Sequence, residues 1–127
     1  MTSTLLTNPA ITLCHLDDLP DGDSRGFDPN GSGRDTVLVV RQAVNVYAYQ
    51  NACPHVDGSP LAWQKNRYLN AARDRIVCSG HGAEFDIVTG ICTLGPCQGE
   101  RLTALDVFHA DSGEVRLAQR QLQEIRA

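Results

Sequence analysis

The stretch CSGHGAEFDIVTG at residues 78–90 and the shorter stretch CPH at residues 53–55 decide the fold of this chain. Each stretch begins with a cysteine that is followed within three positions by a histidine. The four side chains are those of Cys53, His55, Cys78 and His81. Two thiolates and two imidazoles suit a tetrahedral zinc ion. They also suit two sulfide-bridged irons, with both cysteines on one iron and both histidines on the other.

The way the ligand types are mixed favours iron over zinc. Structural zinc sites of this composition usually pair like with like, as C-x-x-C and H-x₃₋₅-H. Here the segments read C-x-H and C-x-x-H, so each segment can give one ligand to each iron. Nearby glycines allow tight turns that bring backbone N–H groups towards negatively charged sulfides; they are Gly58, Gly80, Gly82 and Gly95. The pattern indicates a [2Fe–2S] cluster, and a zinc-binding module is the alternative.

Three runs resemble the Rieske family: CPHVDGSPL at 53–61, CSGHGAEFDIVTG at 78–90 and LGPCQGERL at 94–102. In that family two ligand loops close over one cluster, and a third loop, here containing Pro96, covers it. The resemblance implies an all-β fold, with an antiparallel sandwich or barrel base and a small cluster-binding subdomain at about 52–99 within one domain, 1–127. It implies that the four ligands are surrounded by Pro54, Gly58, Gly80, Gly82, Ala83, Phe85, Gly95 and Pro96.

The kind of Rieske protein follows from four positions. Quinol-oxidising members have an extra cysteine in each ligand loop, and the two form a disulfide; Gly58 and Gly80 stand at those positions here. Those members also have a serine and a tyrosine where this chain has Ala83 and Phe85. Fewer hydrogen-bond donors stabilise the extra electron less, so a low reduction potential is expected. The chain is most similar to the small Rieske-type ferredoxins of bacterial ring-hydroxylating oxygenase systems.

That resemblance implies a one-electron carrier between a flavin-containing reductase and a terminal oxygenase. The carrier itself is expected to catalyse no reaction. His55 and His81 are then expected at an exposed tip. A cluster-bearing small subunit of a nitrite-reductase-like enzyme is the alternative. A catalytic oxygenase would need two more histidines and a carboxylate on a non-haem iron. Only His15 and His109 remain, and we expect both to be ordinary surface histidines.

Composition excludes several other classes of protein. The 127 residues are 42% hydrophobic and 20% charged, with a net charge of −4, which is ordinary for a soluble domain. A nucleic-acid-binding protein would be expected to show a basic patch. No apolar run approaches the length of a membrane span, and residues 1–10 do not resemble a signal peptide. We therefore expect a cytoplasmic monomer with no membrane or nucleic-acid partner.

Short runs rich in valine and tyrosine predict strands, at residues 10–16, 37–41, 44–49, 76–78, 84–87, 102–108 and 115–118. A tight hairpin is expected at Gln42–Ala43 and a turn at 110–113. The polar stretch 17–36 predicts a loop, and only 63–72 and 119–127 predict helical turns. Residues 63–74 lengthen the connection between His55 and Cys78. We interpret them as a packed surface excursion, and a docking element is the alternative.

The three remaining cysteines have less specific roles. Cys92 and Cys97 flank the third loop, where a disulfide is conceivable but a reducing cytoplasm disfavours it. Otherwise both are packed thiols near the cluster. Cys14 lies in a predicted strand and is expected to be buried there as a small hydrophobic residue.

Overall fold

The computed structural model describes residues 10–54, 61–62, 66–78, 82–95, 97–123 and 125. Over these residues the chain forms ten β-strands and two short 3₁₀ helices. The strands are β1 Ala10–His15, β2 Ser24–Phe27, β3 Val37–Gln42, β4 Asn45–Gln50, β5 Arg75–Cys78, β6 Ala83–Asp86, β7 Cys92–Leu94, β8 Ala104–Leu105, β9 Val107–His109 and β10 Glu114–Ala118. The 3₁₀ helices are Leu16–Asp18 and Gln119–Gln123.

The strands form three antiparallel sheets, in the orders β1-β10-β9, β2-β3-β4-β8 and β5-β6-β7. This confirms the all-β fold class. The predicted hairpin joins β3 to β4, where Gln42 pairs with Asn45 across the two turn residues Ala43 and Val44. Ala43 has a φ of 56°, and the Asp21 carboxylate accepts its N–H at 2.7 Å. That bond supports a left-handed conformation that a residue with a side chain seldom adopts.

Strand β3 is buried on both faces and separates two hydrophobic cores. Because successive side chains of a strand point to opposite faces, Leu38 and Val40 enter one core and Val37 and Val39 enter the other. The first, which we call the cysteine core, comprises Leu38, Val40, Tyr49, Cys53, Leu61, Tyr68, Ile76, Cys78, Ala83, Phe85, Ile87, Cys92, Cys97 and Leu102. The second, the aliphatic core, comprises Cys14, Leu19, Val37, Val39, Ala48, Leu105, Val115, Leu117 and Ile125.

The strand predictions hold with three differences. The stretch 102–108 is divided into β8 and β9, and the stretch 92–94 is a strand that was not predicted. Strand β2 lies within the predicted polar loop and pairs with β3 along its whole length. It includes Gly26, where a Cβ would lie 2.5 Å from Tyr68 Oη and 2.6 Å from Asp35 Oδ2. A glycine is therefore required in this strand, although glycine lowers the apparent strand propensity.

The predicted helical turns at 63–72 are wrong over their described part, 66–72. Asn66 has a φ of 67°, and Leu69 forms a β-bridge with Ile76. Tyr68 is buried in the cysteine core, and its carbonyl accepts the Val77 N–H at 2.8 Å. This segment is thus a packed arm that leads into β5, in agreement with the expected packed excursion.

At the C-terminal end, the helix Gln119–Gln123 confirms a helical turn within 119–127. None of the helices in the described residues is long and apolar enough to cross a membrane.

Candidate metal centre

The first cysteine of the predicted ligand set follows strand β4 and is almost wholly buried. Cys53 is 1% exposed and belongs to the cysteine core. The chain is held just before it, because the Asn51 N–H donates to the Thr36 carbonyl at 2.8 Å. Cys53 is therefore presented from the end of a fixed strand, and the other ligand of this segment, His55, lies outside the described residues.

The Asn51 side chain closes the base of this segment. Its Oδ1 accepts the Leu61 N–H at 2.8 Å, and its Nδ2 donates to the Asp35 carbonyl at 2.8 Å. The same Nδ2 lies 3.4 Å from Tyr68 Oη, to which it donates. Asn51 thus joins the two ends of the segment 52–61 and ties both to the arm at 66–74. Sequence reasoning missed this residue, because its partners lie 10 to 17 positions away along the chain.

The second cysteine ends strand β5. Cys78 is 2% exposed, pairs with Ala83 of β6 and lies in the same core as Cys53. The Gly82 N–H donates to the Cys78 carbonyl at 2.9 Å, and Gly82 has a φ of 71°. This bond joins the two described residues on either side of residues 79–81, which include Gly80 and His81 and lie outside the described residues.

The third loop crosses closely over the beginning of β6. Gly95 has a φ of 104°, and a Cβ there would lie 2.8 Å from the Cα of Ala83. Only a glycine at position 95 allows this close approach to Ala83. Ala83 and Phe85 are both fully buried, and neither side chain can donate a hydrogen bond. Gly58 and Pro96, also predicted near the cluster, lie outside the described residues.

Cys92 and Cys97 are packed thiols and are not joined by a disulfide. Cys97 Sγ donates to Cys92 Sγ at 2.9 Å, and Cys92 Sγ donates to the Leu94 carbonyl at 3.3 Å. Burial raises the pKa of Cys97 to about 12, with further contributions from its bond to Cys92 and from the charges of Cys92, Cys53 and Glu100. Cys97 and Cys53 belong to the same core, which places the third loop and the first ligand segment on one side of β3.

Tyr49 fastens the small sheet β5-β6-β7 to the base. Its hydroxyl donates to the Ile87 carbonyl at 2.7 Å, and burial raises its pKa to about 12. A Cβ on Gly90, which has a φ of 75°, would lie 2.6 Å from Tyr49 Cε1. The same turn is closed by Asp86, whose carboxylate accepts the Thr89 hydroxyl at 2.8 Å and the Thr89 N–H at 2.9 Å. These two bonds lower the pKa of Asp86.

The two histidines outside the ligand segments are not brought together. His15 ends β1, where its Nδ1 accepts the Asp17 N–H at 3.1 Å and its Nε2 lies 2.7 Å from the Ser112 carbonyl oxygen. His109 is exposed on β9. Both fit the expected surface histidines. Within the described part of the chain, no group of three or more histidine, cysteine or acidic side chains could hold a metal ion.

Comparison with known proteins adds to this geometry. The family model described as "Rieske [2Fe-2S] domain" matches residues 10–119. The ferredoxin of carbazole 1,9a-dioxygenase from Nocardioides aromaticivorans IC177 is 32% identical, with a TM-score of 0.67, over 86% of this chain and 96% of that chain. The Sphingomonas yanoikuyae B1 ferredoxin is 25% identical, with a TM-score of 0.65, over 87% of this chain and 99% of that chain.

Among curated proteins, apoptosis-inducing factor 3 from Mus musculus is 35% identical over 79 residues. The match covers 62% of this chain and spans only 12% of the mouse protein. The family match and the ferredoxin from Nocardioides both extend over most of this chain. This chain therefore belongs to the Rieske family, and its cofactor is the [2Fe–2S] cluster of that family.

Proposed function

We propose that this protein is a Rieske-type ferredoxin that carries single electrons from a flavin-containing reductase to a terminal oxygenase. The observation that supports this most is a match over 96% of the ferredoxin of a dioxygenase, at 32% identity. The protein is accordingly an electron carrier and not an enzyme.

We assign Cys53, His55, Cys78 and His81 as the ligands of the cluster. The donor set fits, because the thiols of Cys53 and Cys78 lie in one core and each directly precedes or adjoins a histidine-bearing segment of the sequence. A bound [2Fe–2S] cluster accepts and releases one electron. Ligand cysteines must lose their protons, and a buried thiolate without a metal would be costly. A bound metal would remove that cost, so the burial of Cys53 and Cys78 is compatible with a role as ligands.

The residues proposed around the cluster would set its reduction potential. Ala83 and Phe85 contribute apolar surface, and Gly82 and Gly95 place the backbone close by. Pro54, Gly58, Gly80 and Pro96 complete the proposed surroundings. With no hydroxyl from residues 83 and 85, fewer hydrogen bonds would stabilise the reduced state, so we expect a low potential.

We also propose that residues 52–99 act as a cluster-binding subdomain within a single domain, 1–127. The sheet β5-β6-β7 lies inside this range and shares no strand with the other two sheets. The side chain of Tyr49 and residues of β3 join it to the base through the cysteine core. Such a subdomain would present His55 and His81 to a partner while the base remains rigid.

The cluster-bearing small subunit of a nitrite-reductase-like enzyme is the second candidate. A mobile carrier should be a monomer in the cytoplasm and should bind its oxygenase only transiently. A fixed subunit should copurify with a much larger chain in constant ratio. The 32% identity to a ferredoxin of a dioxygenase supports the mobile carrier.

Metal analysis and spectroscopy of the purified protein test the proposal. We expect about two irons and two sulfides per chain and a red-brown colour. The reduced protein should show the EPR signal of a histidine-ligated cluster and should transfer one electron to a Rieske oxygenase. A colourless protein that contains one zinc ion, or a protein recovered only with a large partner, would contradict the mobile carrier.

A further inference from the structure

The thiols of Cys92 and Cys97 are already in contact, with 2.9 Å between the two sulfur atoms. They are 3% and 0% exposed, respectively. Backbone bonds hold the two residues in this relation, since the Cys92 N–H donates to the Glu100 carbonyl at 2.8 Å and the Glu100 N–H donates to the Cys97 carbonyl at 2.9 Å. The pair is therefore positioned by the end of β7 and the turn that follows it.

We propose that Cys92 and Cys97 form a reversible disulfide when the protein meets peroxide. One sulfur is oxidised by hydrogen peroxide to a sulfenic acid, and one water is released. The other thiol then attacks the sulfur of the sulfenic acid. The S–S bond forms as the S–O bond breaks, and the hydroxyl leaves as a second water with the proton of the attacking thiol. Overall, two thiols and one peroxide give one disulfide and two waters. A dithiol reductant reverses the modification by thiol–disulfide exchange.

The other three cysteines lie in another core or have another proposed role. Cys14 lies in the aliphatic core, apart from the other thiols. Cys53 and Cys78 are assigned to the cluster under the proposed function. That function also supplies a source of the oxidant, because the partner reduces dioxygen and the two-electron reduction of dioxygen gives peroxide. The inference rests on the proposed function only in taking the partner oxygenase as the source of the peroxide.

The crosslink would fasten the third loop. Gly95, between the two cysteines, packs on the backbone of Ala83 at the beginning of β6. A disulfide would join the strand before Gly95 to the turn after it. The loop that is proposed to cover the cluster would then be closed within a ring of six residues.

The positions of the glutamates allow a direct test on the whole protein with its cluster. The first two glutamates of the chain are Glu84 and Glu100, so cleavage after glutamate isolates residues 85–100, which contain only Cys92 and Cys97. Protein exposed to hydrogen peroxide is denatured in the presence of iodoacetamide, which alkylates free thiols. It is then cleaved after glutamate, and the peptide masses are measured by mass spectrometry. We expect this peptide to lose both alkylation sites and two hydrogens, and to regain both sites after dithiothreitol.

Two controls make the result decisive. The variant Cys97→Ser cannot form the crosslink, so its peptide 85–100 should be recovered alkylated at Cys92 or with added oxygen there, and without the loss of two hydrogens. Cys14, which at 8% is slightly more exposed than either thiol, should form no intramolecular disulfide at those doses because it has no neighbouring thiol. A parent peptide 85–100 that keeps both sites, or that gains oxygen irreversibly, would overturn the proposal. Iron content, measured in parallel, reports separately on the proposed function.

Discussion

The two cores on either side of β3 are built on different principles. The aliphatic core surrounds one thiol with eight hydrocarbon side chains, and its stability comes from buried apolar area. The cysteine core contains four of the five cysteines and two tyrosines, and polar groups at its edge have specific partners. Hydrophobic replacements of similar volume should be tolerated in the first core. In the cysteine core, the loss of a single hydrogen-bond partner leaves a buried polar group unsatisfied.

The largest expected effect separates the cysteines of the two cores. Cys53→Ser or Cys78→Ser should remove the visible colour and the two irons, and should destabilise the fold because ligand binding is coupled to folding. Cys14→Ser, the matched change in the aliphatic core, should keep the iron. Iron analysis and absorption spectra measure the difference. Equal loss of iron in all three variants would show that the cysteines act only through packing.

The next effect, at Asn51, concerns both stability and the retention of iron. Asn51→Ala would leave the buried Leu61 N–H without its acceptor, at about 1–3 kcal/mol, and would also free the base of the first ligand segment. Asn70 makes a similar set of side-chain bonds in the turn at 70–75, where water can replace them, so Asn70→Ala should cost about 1 kcal/mol or less. Urea unfolding and the rate of iron loss should distinguish the variants. Equal rates would mean that Asn51 does not position the segment.

Gly90→Ala compares a crowded glycine with an open one. An alanine at this left-handed position costs about 1–2 kcal/mol, and contact with the Tyr49 ring should add about 1–3 kcal/mol. Gly22 has a similar φ, 80°, but nothing lies within 4 Å of a Cβ there. Gly22→Ala should therefore show only the backbone cost. If thermal unfolding shifts both variants equally, Tyr49 does not fix the small sheet to the base.

A smaller effect concerns the reduction potential. The parent protein should lie towards the low end of the Rieske range, about −150 to +300 mV. Ala83→Ser and Phe85→Tyr should each raise the potential by about 20–60 mV, the equivalent of one hydrogen bond for a one-electron couple. Voltammetry measures both, with Phe108→Tyr as an exposed control on β9. A parent midpoint above about +100 mV on that scale would show that other donors dominate.

The smallest effect is the pH dependence at Asp86. Its pKa is lowered by the hydroxyl and N–H of Thr89. A carboxyl with a lowered folded pKa stabilises the protein above its unfolded value, about 3.9, and this contribution is lost as the pH falls through the folded value. Asp86→Asn should slightly lower stability at pH 7 and have less effect below pH 4. Urea titrations at several pH values measure this; a constant difference would exclude the linkage.

Most of the fold could be predicted from local patterns. The valine- and tyrosine-rich runs became β3 and β4, because β-branched and aromatic residues favour strands. Strand β2 could not be predicted, since Ser24–Phe27 contains a glycine and its strand conformation comes from pairing with β3. The arm at 66–74 was misinterpreted for a related reason. Its helix-compatible residues are held extended by the Leu69–Ile76 bridge, which local propensity does not contain.

The part of the candidate site that could be predicted is the ligand set, because it depends on residue type and spacing in the sequence. Cys53 and Cys78 lie in one core, as a shared cluster requires, and His55 and His81 stay predictions. Asn51 and the contact between Cys92 and Cys97 could not be derived from spacing, because each depends on how distant segments meet. Gly95 was predicted for its turning ability; its close approach to Ala83 became evident only in the structure.

Strand β3 has a consequence for how this protein can vary in evolution. Neighbouring residues from Val37 to Val40 belong to different cores, so adjacent positions are under different selective constraints. A change at position 38 or 40 must suit the cysteine core and, through it, the electron-carrying site. A change at 37 or 39 must suit only the structural base. Among related sequences, substitutions in this strand should therefore covary in two interleaved sets.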